Sequence, residues 1–150
     1  MGKSKSLPTA KPLSMTAQIF RMSSKHPQLK LRLKGQKAIW EGDWCPSELS
    51  DTYQIRIAYT HRNRPVISIL SPTLKIAKGK NKLPHTYLDG QIDICVHESN
   101  EWNSRLFVAD TIMPWVSQWL RFYEYWEQTG SWEGKGTNPE FKSHQSKAVD

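Results

Sequence analysis

The sequence predicts an α+β domain, a four-stranded antiparallel meander flanked by helices. Three observations predict it. Apolar and polar residues alternate through the middle of the chain, the period of a strand with one buried face. A short amphipathic segment precedes that run. A stripe of aromatic residues at 3–4 spacing follows it, the period of a helix. Strands gathered in one run with helices at its ends define the α+β class. A length of 150 residues suits one domain with a single core.

Each element has its own local cause. Residues 1–13 are polar and basic and hold Pro8 and Pro12, so a disordered basic tail is expected there. The folded domain is then residues 14–141, and residues 142–150 read as a flexible tail. Ser14 is placed to cap a helix running to Ser24, with Met15, Ile19, Phe20 and Met22 as its apolar residues. His26-Pro27 ends it, because the residue before proline is pushed out of the helical region. Leu29, Leu31 and Leu33 alternate with Lys30, Arg32 and Lys34, which predicts a half-buried strand. Residues 37–44 form a second, and Tyr53, Ile55, Ile57 and Tyr59 mark the clearest third. After a turn at residues 61–64, residues 65–70 supply the fourth, closed by Ser71-Pro72. A basic loop, 75–82, leads through Pro84-His85 and an Asp89-Gly90 turn to a short fifth strand, 92–96, carrying Asp93 and Cys95. The final helix is expected to start with Asp110 as N-cap and Pro114 in its first turn. Ile112, Trp115, Val116, Trp119, Tyr123 and Trp126 then form the face that packs on the sheet.

Composition narrows the function classes. No apolar run approaches the roughly 20 residues that span a bilayer, and Lys3 and Lys5 precede no apolar leader segment, so a cytoplasmic protein with no membrane partner is expected. Cys45 and Cys95 then read as free thiols. With the five histidines scattered, no metal-ligand spacing is present, and neither metal nor cofactor is expected. The net charge of +7 comes from lysine and arginine crowded before residue 38 and again between Arg62 and Lys82. No aromatic-rich binding motif accompanies it, so the charge reads as solvated tail and turn tips, and nucleic acid is the least supported partner.

Chemistry is most expected around residues 83–102. Cys95 has two readings there: a small buried hydrophobe in a strand, or a nucleophile. His85 likewise reads either as a hydrogen-bond donor to chemistry or as a cap for the loop backbone. Asp93, as a neighbouring anion, would oppose thiol activation.

A set of local motifs runs through the chain: Trp40, Gly42, Pro46-Ser47, Tyr53, Pro65-Val66 and Ser71-Pro72-Thr73-Leu74. It continues with Leu83-Pro84-His85-Thr86-Tyr87, Glu101-Trp102 and Ala109-Asp110-Thr111-Ile112-Met113-Pro114-Trp115. It ends with Trp119-Leu120, Tyr123-Glu124-Tyr125-Trp126 and Thr129-Gly130-Ser131-Trp132. In this order the motifs resemble bacterial ubiquitin-conjugating-enzyme-like proteins of short type II CBASS antiphage operons, over about residues 38–139. The block 109–132 is the most specific part. The resemblance implies a ubiquitin-conjugating-enzyme-like fold and an accessory role in antiviral signalling. It further implies handling of the C-terminus of a partner, a nucleotide-cyclase-like enzyme of the same operon, through a cysteine thioester or as a non-catalytic relative. Such enzymes carry their cysteine three residues after a turn glycine, and in this chain that position is Asp93. A carboxylate cannot form a thioester, so the protein is either a binding module or one in which Cys95 has taken over. His85 stands where the family pattern places the residue that stabilises the oxyanion.

Overall fold

A computed structural model describes residues 11–61, 63–87 and 93–134 of the chain. The Asp89-Gly90 turn, Ile92, residues 1–10 of the expected basic tail and the whole of 142–150 lie outside the described residues. Helix α1 spans Met15–Lys25. Ser14 caps it as expected, its hydroxyl accepting from the Ala17 N–H at 3.0 Å. Phe20 was expected on the apolar face but is exposed. The inward row is Met15, Gln18, Ile19 and Met22, at 3–4 spacing, and Phe20 lies off that row.

Four strands follow in sheet order β1-β2-β3-β4, all antiparallel: β1 Lys30–Lys34, β2 Lys37–Trp44, β3 Tyr53–Tyr59 and β4 Val66–Ser71. The register sets Trp40 against Ile57 and Ile57 against Ile67, so one face is continuously apolar. Gly42 permits the entry into β1. A Cβ there would lie 2.5 Å from the Gln28 carbonyl oxygen, so only glycine lets that segment pass. The expectation of a half-buried first strand does not hold. All of β1 is exposed, and only Leu29, just before it, is buried. Alternation fixes which face the leucines share, not whether anything covers that face.

Helix α2, Val108–Thr129, lies on the apolar face of the sheet. Ile112, Trp115, Val116, Trp119, Tyr123 and Trp126 are all buried, as their spacing predicts. Its start differs from expectation. The N-cap is Phe107, with no side-chain cap bond, and Pro114 lies inside the helix with its ring facing solvent. Asp110 sits in the first turn, where an anion suits the helix dipole, and pairs with Arg21 at 2.9 Å and Lys25 at 3.1 Å on α1. The helix start is satisfied from a distance by buried Gln18. Its Oε1 accepts from the Val108 N–H at 2.9 Å, and its Nε2 donates to the Leu106 carbonyl at 2.9 Å. At the other end Gly130, with φ of 79°, reverses the chain after its N–H bonds the Trp126 carbonyl.

Candidate functional site

The site forms where the loop after β4 returns to the sheet. Among the described residues the expected fifth strand takes the form of two isolated bridges, Ser68 with Asp93 and Thr86 with Ile94. The Ile94 N–H bonds the Ile67 carbonyl at 3.0 Å, so this short segment docks along the outer edge of β4. On its other side the Tyr87 N–H bonds the Asp93 carbonyl at 2.9 Å, and the Cys95 N–H bonds the His85 carbonyl at 2.8 Å. On the side away from the turn the pairing ends at His85, whose φ of 53° lies outside the extended region and bends the chain before it away.

That left-handed backbone at a non-glycine residue costs on the order of 1 kcal/mol, and such strain persists only where surroundings enforce it. Here two groups do. The His85 carbonyl accepts from the buried Trp119 indole at 3.2 Å as well as from Cys95. Its ring packs on Trp132, centroids 5.0 Å apart. Trp132 in turn rests on Trp119 and Phe122. His85 thus joins the loop, the helix and the segment after the helix.

Asp93 is 2% exposed. Its Oδ2 accepts from Nη2 of Arg64 at 3.1 Å, and the Arg64 guanidinium lies 3.8 Å from the ring centroid of Tyr87. Burial works against the charge on Arg64, but Tyr87, Asp93 and Cys95 outweigh it and hold the guanidinium above its ordinary value. Arg64 is therefore a fixed cation within electrostatic reach of both acidic candidates. The sequence placed it only in a charge cluster, because the pair spans two loops with no local signal.

Cys95 is half-buried, and its thiol donates to the His97 carbonyl at 3.3 Å. His97 packs on Trp115, centroids 5.7 Å apart, and its Nδ1 donates to the Glu98 carbonyl at 2.6 Å. Burial pushes His97 below its ordinary value, with Arg64 adding to the effect; the Glu98 carbonyl and the Glu101 carboxylate pull the other way. A neutral imidazole thus sits two residues from the thiol. Arg64, Tyr87, His97, Trp102 and Asn103 line a cleft of about 290 Å³ beside it.

The structure brings His85, Asp93 and Cys95 together, with the first and last linked through the backbone. The other cysteine, Cys45, is exposed on the loop between β2 and β3. Among the described residues no group of three or more His, Cys, Asp or Glu could hold a metal ion. Among them, too, no helix is long and apolar enough to cross a membrane.

Comparison with curated proteins returns no match. A family model described as Type II CBASS E2 protein matches residues 18–139, a span that runs from buried Gln18 through the whole site to beyond α2. The chain belongs to the Type II CBASS E2 protein family, accessory proteins of CBASS antiphage operons.

Proposed function

We propose that this chain engages the C-terminus of a partner protein of the same operon, a nucleotide-cyclase-like enzyme, and does so as a binding module. One observation carries the choice of binding over catalysis. The position that the family pattern gives to the nucleophilic cysteine holds Asp93, buried and clamped by Arg64 under Tyr87. A carboxylate held in an ion pair is neither a thiolate nor open to an incoming carbonyl. In this reading Arg64 and Asp93 fill the old catalytic position, while His85 and Trp132 hold the loop in shape. The adjacent cleft offers hydrogen-bond donors and aromatic walls to an extended chain end.

The test is retention of the partner on immobilised protein. Wild type and Cys95→Ala should retain it equally, with no adduct that reductant removes. A reductant-sensitive adduct with wild type, lost in Cys95→Ala, would sink the binding-only reading.

A second reading is favoured by the half-exposed thiol of Cys95 within the field of Arg64. The Cys95 thiolate would add to an activated C-terminal carbonyl, forming an S–C bond while the activating group leaves with its electron pair. An acceptor amine would then displace the thiolate and lose a proton. In this reading Cys95→Ser should accumulate an ester-linked partner that hydroxylamine releases.

A further inference from the structure

The edge strand β1 is placed to accept another strand, and this surface is separate from the site above. The opposite edge of the sheet, β4, is covered by the segment at Asp93 and Ile94. Among the described residues β1 pairs with β2 on one side only. Lys34 and Lys37 flank a two-residue turn and are paired in register, as are Arg32 with Ile39 and Lys30 with Glu41. In such a hairpin these pairs exchange the ladder bonds. The N–H and C=O groups of Leu31 and Leu33 therefore face the open edge.

The side chains add chemistry to that edge. Leu31 lies opposite Trp40 and Leu33 opposite Ala38, so both share the apolar face of the sheet. Trp40 and Ala38 are buried, but Leu31 is 37% and Leu33 61% exposed, because the cover stops short of the edge. Lys30, Arg32 and Lys34 point to the other face. Among the described residues, Lys30 and Lys34 have no carboxylate within ion-pair distance, and Arg32 has only a 3.8 Å contact to Glu41, which Arg56 holds at 2.7 Å.

We propose that β1 binds an extended acidic peptide segment of a protein partner by strand addition. The segment would alternate apolar residues beside Leu31 and Leu33 with Asp or Glu beside Lys30, Arg32 and Lys34. Main-chain bonds supply the docking and the alternation supplies specificity. Charge excludes a second copy as occupant: pairing β1 with itself sets Lys and Arg against Lys and Arg on one face, and like charges directly opposite are destabilising. Lysines on an edge strand repel such self-pairing and attract only a segment of opposite charge.

The probe is a fluorescein-labelled Glu-Val-Glu-Val-Glu peptide with blocked ends, titrated into the full chain at low and moderate salt. Saturable binding that salt weakens is expected, with amide exchange of Leu31 and Leu33 slowed in the complex and that of Ile57 unchanged. Lys30→Glu with Lys34→Glu should weaken this peptide about tenfold and favour its Lys-Val-Lys-Val-Lys counterpart. Leu33→Pro removes an edge N–H without breaking a β1–β2 bond and should also weaken binding. The proposal is overturned if no binding occurs at millimolar peptide, or if the charge-reversed variant binds equally well. Unchanged exchange at Leu31 and Leu33 in the saturated complex would overturn it too. So would sedimentation of the free chain as a dimer that these same substitutions dissociate.

Discussion

Replacing Arg64 with alanine removes the cation facing Asp93 and the plane stacked on Tyr87. Taking one partner from a buried ion pair costs about 3–5 kcal/mol. The Asp93 side chain is 3% exposed, which argues for the full cost, but the Arg64 side chain is 34% exposed and water screens its end of the pair. Halving the electrostatic cost leaves about 2 kcal/mol. The lost cation–π contact adds about 0.5–1 kcal/mol. The sum, about 2–3 kcal/mol, corresponds to a urea midpoint lower by about 1–1.5 M if the slope is about 2 kcal/mol/M. Tryptophan fluorescence follows the transition. Asp93→Asn keeps the shape of the side chain and removes its charge. In a double-mutant cycle the Arg64→Ala cost should shrink by about 1–2 kcal/mol when Asp93 is already Asn. A loss below about 0.5 kcal/mol for Arg64→Ala, or strict additivity of the two changes, would refute the clamp as an energetic unit.

Other consequences are equally open to measurement. His97 and His26 are both pushed below the ordinary imidazole value, mainly by burial; the Ala109 carbonyl and Asp110 oppose this at His26, and Lys25 adds to it. The unfolded chain therefore binds protons first, so stability should fall as pH drops below about 6.5. Denaturation at stepped pH should show this loss, and His97→Gln should flatten it; an unchanged slope would refute the assignment. In alkali the sign reverses, because burial pushes Tyr59 up to about 12, and burial with Glu124 pushes Tyr53 higher still. The unfolded chain then loses protons first, so stability should decline from about pH 10 upward, by about 2 kcal/mol for Tyr59. Tyr59→Phe should remove that portion of the decline. Glu124 accepts from Ser50 and Tyr53 at 2.7 Å and from the Asp51 N–H at 3.3 Å, so Glu124→Ala should cost about 2 kcal/mol and free the 46–51 loop to exchange. Retained amide protection in that loop would contradict this.

The strands and the aromatic helix were legible because their signals are local. Spacing of 2 along β3 and of 3–4 along α2 names the buried face without knowing what covers it. The misses share a cause of another kind. The leucines of β1 carry the right period, but cover is supplied, or withheld, by helices elsewhere. Asp110 looks like an N-cap until Arg21 and Lys25 on α1 are known to face it. Gln18 looks like a polar residue on a helix until α2 starts against it. At the site, His85, Asp93 and Cys95 were recoverable as a group through the family frame. Arg64, Trp119 and Trp132 were not, since each enters by a contact between segments far apart in sequence.

The turn at Gly130 has a consequence in time. It sends Trp132 back onto His85, Trp119 and Phe122, so the segment that follows the last helix wedges behind the site loop. During synthesis the loop leaves the ribosome well before this tryptophan does. The sheet can pair and the loop can approach β4, yet His85 has no ring to rest on until the chain beyond α2 has emerged. The contacts that hold the loop are thus complete only once residue 132 has joined them.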